Sequence, residues 1–450
     1  MSYQVPQHID NNKIFIVKRS EIEGRIEPEF YRPSLSSLEN KIRSLATHKL
    51  RDYAISFAGG ATPKKTKANS FYTDEKNGIP FLRVQNLQTD GELSLAGCIY
   101  INEETHYGLL ARSQVSEGDL LVKITGVGRM AIASVAPDGF IGNTNQHMVV
   151  IKTGDTFLSK YLARYLNLDI IEKIASRHST GGTRPALDYP SLKNIPVIEG
   201  IDFTPIDKGL GIVKNKELES QELLSSIDIY LLNELGITIP QIKFELNNRM
   251  FISSHHQIIG KRLDPIYTLC WGKSAISNKY NSISLRVIAD ICKGNALTGD
   301  NVVPGNIPVI AGGQTSPYSH NEANFQGNVI TVSASGAYAG YVWYHPNPIY
   351  ATDCCVIRSK DENAFLTEYI FEVLKVQQES IYWLQTGAAQ PHVYASDLES
   401  LVIPIIPLPQ QQTIVEHIRE IRQQAKALQD KGKSILEQAK REVERMILGN

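Results

Sequence analysis

The chain has 450 residues, of which 42% are hydrophobic and 21% charged, with a formal net charge of −1. That length exceeds one ordinary core and predicts two or more domains, and the composition is that of a soluble globular protein, not a disordered one. Residues 1–200 carry 24 Lys and Arg against 21 Asp and Glu, and residues 251–405 carry 9 against 12, so any polyanion site must be a local patch.

The first residues, "MSYQVPQHIDNNKIF", lack the basic-then-apolar layout of a secretory signal. No run of about 18 apolar residues occurs, so no membrane span is expected. Five cysteines, including the adjacent Cys354 and Cys355, form no Cys-x-x-Cys pair. A reducing, cytoplasmic setting without structural zinc is the expectation.

From the N-terminus onward, segments of the first half reappear in the second, in the same order. "GRIEPEFY" from Gly24 is answered by "KRLDPIYT" from Lys261, and "KLRDYAISFAGGATP" from Lys49 by "SLRVIADICKGNALT" from Ser284. "GIPFLRVQN" from Gly78 lines up with "NIPVIAGGQ" from Asn306, and "GDLLVKITGVGRMAIASV" from Gly118 with "GNVITVSASGAYAGYVWY" from Gly327. "FLSKYLARYLN" from Phe157 matches "FLTEYIFEVLK" from Phe365, and "TGGTRPALDYPSLKNIPV" from Thr180 matches "TGAAQPHVYASDLESLVIPI" from Thr386. An ordered set of matches is a duplicated domain. Between the shared blocks the units diverge: "KKTKANSFYTDEKN", Lys64 to Asn77, is longer and more basic than its counterpart.

Within each unit, short β-branched and aromatic runs bounded by Gly, Asn, Asp and Pro predict strands: "DLLVKI", "AIASVA", "HMVVIK", "NVITVSA" and "YVWYH". Apolar residues at three-to-four spacing predict one helix per unit, at Leu158–Ile174 and Leu366–Gln378. After each unit the pattern changes. Leu218, Leu224, Ile227, Leu231 and Leu235 follow Pro205 and stop at Gly236. Beyond Pro407 and Pro409, a heptad seam runs through Ile414, Ile418, Ile421, Ala425, Leu428, Gly432, Ile435, Ala439, Val443 and Met446. The small residues in it suggest a partner helix approaching closely.

The fold class expected is therefore α+β: two duplicated, mostly β domains separated and followed by long helices that carry a coiled-coil seam. The divisions are 1–203 (first domain), 204–248 (central helical region), 249–406 (second domain) and 407–450 (C-terminal helix).

Catalytic signatures are missing. No G-x-x-x-x-G-K-[ST] phosphate loop occurs, and "TGVGRM" at Thr125 is not G-x-G-x-x-G. His255-His256 reads as a polar linker. "NPIY", Asn347 to Tyr350, resembles the Asn-Pro-Pro-Tyr loop of adenine amino-methyltransferases, but Ile349 replaces the second Pro and no cofactor strand precedes it. It reads as a turn entering a strand. The chain is expected to bind, not to catalyse.

The duplicated unit with "GATP…GIPFLRVQNL", "GDLLVKITGVG" and "STGGTRPALDYPSLKNIPV", each unit followed by a long helix, resembles the specificity subunit of type I restriction–modification systems from about Phe15 to the C-terminus. That resemblance implies a double-stranded DNA partner, each unit reading one half of a split site. It also implies that the helices pair antiparallel as a spacer and dock adenine methyltransferase (modification) subunits alongside an ATP-dependent restriction subunit. No cofactor or metal is expected on this chain; S-adenosylmethionine and ATP belong to the partners. The weaker central heptad leaves the docking geometry there open.

A DNA-reading unit needs phosphate contacts for register and base-edge contacts for sequence. The first-unit candidates are Lys64, Lys65 and Lys67 on the loop after "GGATP", then Arg83, Gln85 and Asn86 after a strand, Arg129 after a Gly-rich turn, and Arg184 in the Thr-Gly loop. Those of the second unit are Gln314, Thr315, Ser316, Tyr338 and Gln390. Gly181, Pro185, Gly387 and Pro391 are expected to shape the loops. Subunit-interface candidates are Leu224, Ile227, Leu231, Ile418, Ile421, Leu428 and Ile435. Two alternatives stand beside this reading: a recognition subunit whose partner fuses methyltransferase and nuclease, and a two-domain scaffold that binds no DNA.

Overall fold

Alternating burial along two strands explains the first unit. In the computed structural model, which describes residues 10–64, 71–239, 276–387 and 390–449, the chain divides into Met1–Asn215 with Lys431–Asn450, and Lys216–Asp430. The first unit holds an antiparallel four-stranded sheet in the order Ser56–Gly59, Met148–Lys152, Leu120–Lys123, Ala133–Val135. Leu120, Val122, Val149 and Ile151 point into a core shared with the helices, whereas Leu121, Met148 and Val150 meet Leu82, Val115 and Phe140 on the other face. Successive side chains of a strand face opposite ways, so a strand covered on both faces reads as an unbroken apolar run.

The cover on the second face is a five-stranded sheet, in the order Tyr72–Thr73, Ile99–Ile101, Ile79–Leu82, Ile141–Thr144, Gln114–Ser116. Its Ile79–Leu82 and Ile141–Thr144 strands run parallel, with Phe81 opposite Asn143. On the first face lies the helix Thr156–Leu166, whose start is capped by the Asp155 carboxylate accepting from Phe157 N at 2.8 Å.

The single helix expected at Leu158–Ile174 is two, Thr156–Leu166 and Asp169–His178. Asn167 lies between them, and its side chain bonds both backbone groups of Ala133: Oδ1 accepts from Ala133 N at 3.1 Å and Nδ2 donates to Ala133 O at 2.7 Å. Tying one residue to the edge strand turns the chain out of the helix. The second expected helix likewise ends early, at Thr367–Val376, with Gln378–Tyr382 following.

The second unit repeats the scaffold. Its four-stranded sheet runs Ala289–Lys293, Cys354–Ser359, Val329–Ser333, Val342–His345. Ile330, Val332, Cys355 and Ile357 face the helices, and Val329, Cys354 and Val356 face a smaller sheet. That sheet, Ser319–His320, Ile307–Ile310 and Tyr350–Ala351, keeps the parallel pair, with Val309 opposite Tyr350. The short pair His48–Lys49 with Pro196–Val197 has its counterpart in Ser282–Ser284 with Val402–Pro404. The repeat block from Lys261 to Thr268 lies outside the described residues.

One detail of the repeat differs from the sequence alignment. Matching Gly118 to Gly327 places Lys123 with Val332, yet Lys123 and Ser333 hold the same station, opposite Met148 and Cys354 respectively. The second unit carries one extra residue before this strand, at Gly327–Asn328, where φ is +94° and +48°. Without it, every side chain of the strand would change face.

Each unit also contains parts of the long helices Thr204–Leu235 and Leu408–Leu448. Within the first, a Cβ on Gly209 would lie 3.4 Å from Leu436 Cα and 3.5 Å from Ala439 Cβ, so the two backbones approach closely there. Within the second, Ile227, Leu231 and Leu235 share a core with Ile414, Val415, Ile418 and Ile421. Gln429 Nε2 donates to Ser220 Oγ at 2.9 Å, and Gln410 Nε2 to Glu234 Oε1 at 3.3 Å. One residue number rises as the other falls: the helices are antiparallel. Among the described residues no helix is long and apolar enough to cross a membrane.

Candidate nucleic-acid interface

Four loops of the first unit meet at one end of its four-stranded sheet. The loop after Ser56–Gly59 returns over the start of the next strand, with Gly60 N donating to Met148 O at 3.4 Å. A Cβ on Gly60 would sit 2.1 Å from the Thr144 carbonyl, so only glycine permits the approach. The Gly-rich turn after Lys123 begins with Ile124 N donating to His147 O at 2.9 Å. Onto this turn closes the Thr-Gly loop: Thr180 and Ala186 exchange backbone bonds of 2.9 and 2.8 Å, and Gly126 N donates to Pro185 O at 3.0 Å. Beneath it the buried Lys123 donates to Val127 O at 2.8 Å; burial lowers the pKa of this ammonium, opposed by the Glu172 carboxylate.

The second unit reproduces the backbone bonds of this rim. Gly294 N donates to Cys354 O at 2.9 Å, and a Cβ on Gly294 would lie 2.3 Å from Thr352 O. Ala334 N donates to Asp353 O at 3.2 Å, Thr386 and His392 exchange bonds of 2.8 and 2.7 Å, and Gly336 N donates to Pro391 O at 3.0 Å. Gly181 and Gly387 both have φ of +95°. The four loop-shaping residues thus sit where the Thr-Gly loop turns and where it is held.

The sequence candidates separate into two groups. Lys64 and Arg184 in the first rim, and Gln390 and Tyr338 in the second, are exposed, Tyr338 by 46%. Gln85 is exposed as well. Gln314 bonds the Tyr382 hydroxyl, Thr315 is exposed, and Ser316 Oγ donates to Tyr318 O at 2.9 Å; their loop abuts the rim, since a Cβ on Gly312 would lie 2.7 Å from Ser335 O. Lys65 and Lys67 lie outside the described residues, as do His255 and His256.

Asn86 and Arg129 are committed elsewhere. Asn86 is fully buried, its Oδ1 accepting from Arg83 N and its Nδ2 donating to Ser94 O, both at 2.8 Å. Arg129 pairs with Asp169 and donates to Asn167 O, so its guanidinium is engaged at the helix junction. Arg83 is half-buried with Nη2 on Gly97 O at 2.7 Å. Of the helix residues, Ile227, Leu231, Ile418 and Ile421 are buried within the chain's own second-unit core, Leu428 and Ile435 are half-buried, and Leu224 is 40% exposed.

Sequence reading missed the residues that head the strands Met148–Lys152 and Cys354–Ser359, namely Gln146–His147 and Thr352–Asp353. Gln146 bonds Thr62 Oγ1, and the Asp353 carboxylate accepts from Ser335 Oγ. The available signal was a polar pair just before "MVVIK" and "CCVIRS". Among the described residues no group of three or more His, Cys, Asp or Glu could hold a metal ion.

No curated protein matches the chain. Among solved structures, the S subunit of a type I restriction–modification system from M. genitalium is 14% identical, over 88% of this chain and 95% of that one, with a TM-score of 0.39. The HsdS subunit from Thermoanaerobacter tengcongensis is 13% identical over 89% and 96%, with a TM-score of 0.33. The type IIG restriction endonuclease BpuSI is 12% identical over 41% of this chain and 29% of its own, with a TM-score of 0.32. Likenesses this weak bear no argument about function. The sequence match does: residues 278–438 fit the family described as the type I restriction modification DNA specificity domain. Over about a third of its length, the chain is therefore similar to that specificity domain.

Proposed function

We propose that the chain reads a split DNA target, one half-site per unit, with the rim formed by the Thr-Gly loop, the Gly-rich turn and the two strand-edge loops. The observation that carries this reading is the duplication of the rim's backbone bonds, including Gly126 to Pro185 and Gly336 to Pro391, both 3.0 Å. Two equal scaffolds with unequal exposed side chains suit two different half-sequences: Lys64, Gln85 and Arg184 on one, Gln314, Thr315, Tyr338 and Gln390 on the other. The long helices dock adenine methyltransferase subunits and, with them, the ATP-dependent restriction subunit. The chain supplies no catalysis; S-adenosylmethionine and ATP bind the partners.

Replacing residues 60–184 with the corresponding segment of a relative of different specificity tests this. In the methylome of a strain carrying the chimera, one half of the methylated consensus should change and the other stay. A change in both halves, or in neither, would refute independent reading units. Adenine methylation by the purified chain alone with S-adenosylmethionine would refute the non-catalytic assignment.

A further inference from the structure

Because the two rims share their backbone bonds, the backbone cannot tell one half-site from the other; only unlike side chains at like stations can. The clearest such station heads the strand that crosses the sheet. Ile124 N donates to the carbonyl of His147 in one unit, and Ala334 N to that of Asp353 in the other. The same place therefore carries an imidazole or a carboxylate.

From this we infer that Asp353 is a base-reading residue of the second unit, accepting a hydrogen bond from an exocyclic amino group, with Ser335 as its positioning residue. The inference rests on the DNA-reading function proposed above. Asp353 is exposed on the rim, and its Oδ2 accepts from Ser335 Oγ, which fixes the carboxylate plane. A Cβ on Gly312 would come within 3.4 Å of that same oxygen, so the neighbouring loop closes the carboxylate in on this side. A cavity of about 320 Å³ opens beside it, lined by Gly294, Ala296, Thr352, His392 and Tyr394.

The chemistry narrows the ligand. An ionised carboxylate only accepts hydrogen bonds. Phosphates offer no donor and repel it, so Asp353 in a DNA-facing rim has no use for the backbone. In the major groove the donors are the N4 amino group of cytosine and the N6 amino group of adenine. Asp353 therefore selects for one of these at a single position and against a carbonyl oxygen there. His147, with a donor and an acceptor, imposes a different demand on the first half-site.

The test uses the full chain with its modification partner in the host, read by methylome sequencing. Asp353→Ala should relax discrimination at one position of the second half-site by about tenfold, leaving the first half unchanged. Asp353→Asn, which keeps the shape but adds a donor, should shift that position toward adenine, whose N6 and N7 it can bond together. Ser335→Ala should weaken discrimination at the same position without changing the preferred base. An unchanged second-half consensus in Asp353→Ala and Asp353→Asn overturns the inference. Should both variants abolish methylation, binding of the purified complex to duplexes altered at each second-half position in turn decides the matter, and a profile identical to the unsubstituted complex overturns the inference. A parallel chimera replacing residues 289–393 separates the two claims: if it changes neither half, the DNA-reading function itself fails, whereas a changed half with inert Asp353 variants removes only this residue's role.

Discussion

The N–H of Gly126 donates to the carbonyl of Pro185 at 3.0 Å, and across this bond the Gly-rich turn and the Thr-Gly loop become one surface. The loop can reach the turn only because Gly181 adopts a φ of +95°, a conformation an L side chain enters at a cost of about 1–2 kcal/mol. The second unit makes the same bond between Gly336 and Pro391 and depends on Gly387 in the same way.

The two glycines differ in room. A Cβ on Gly181 would lie 3.1 Å from Arg184 O, while one on Gly387 would lie 2.6 Å from Gln390 O. Gly387→Ala is therefore expected to destabilise the protein more than Gly181→Ala, which should lose about 1–2 kcal/mol. Chemical denaturation of the two variants decides it; equal losses, or the reverse order, would contradict the geometry.

Arg129 gives a sharper discrimination between structural and DNA-binding roles. Its guanidinium pairs with Asp169, whose own N–H, with that of Ile170, is bonded to the Glu444 carboxylate. Arg129→Ala should cost about 1 kcal/mol of stability by removing the donor to the buried Asn167 carbonyl and the partner of Asp169. The salt dependence of DNA binding should not move. A phosphate-binding arginine would instead lower the slope of log K against log salt by about one unit on removal. A lowered slope with unchanged stability would restore Arg129 to the DNA interface.

These placements mark how far the sequence is legible. The duplication and the strands depend on local patterns and are present among the described residues, whereas the heptad seam is buried at Ile414, Ile418, Ile421, Ala425, Ala439 and Val443 but open at Met446, which is 55% exposed. What escaped depends on partners distant in the chain. The run Leu162, Leu166, Ile170, Ile174 continues at helical spacing straight through Asn167, and nothing local shows that Ala133 will break the helix there. Tyr165 and Tyr369 each donate a buried hydroxyl to a proline carbonyl, Pro196 and Pro404, although the alignment pairs Tyr161 with Tyr369. Asn86 and Arg129 carry base-reading and phosphate-binding chemistry but meet internal partners first. Asp353 and His147 were hidden because their neighbours, not their own residue types, put them at matched stations.

Acid should expose one further dependence. Glu39 is buried; burial alone would raise its pKa, but the hydrogen bond and charge of His178, together with Arg43 and Arg177, pull it down to about 2. A depressed carboxylate stabilises the fold above its ordinary value near 4.5 and loses that contribution as pH falls toward 2. The contribution is on the order of 3 kcal/mol. Glu39→Gln should flatten the stability profile between those pH values while lowering stability at neutral pH. An unaltered acid limb in the variant would show that the cluster does not carry the dependence.

The last helix is held to the second unit by a pair whose two halves are unequally replaceable. Arg422 Nη2 donates to Glu372 Oε2 at 2.7 Å, and the Glu372 side chain is only 2% exposed. Burial raises the Glu372 pKa against the pull of Arg422, so the carboxylate is tolerated only because the arginine is there. Arg422→Leu leaves that charge buried without its partner and should cost about 3–5 kcal/mol. Adding Glu372→Leu removes the stranded charge and fills the space with apolar atoms, so the double variant should recover most of the loss. Arg419, paired with Glu368 at 2.8 Å one helical turn earlier, stays intact throughout and keeps the helix docked. Denaturation of the two single variants and the double variant completes the cycle. If the double variant is as unstable as Arg422→Leu alone, the buried charge is not what Arg422 neutralises.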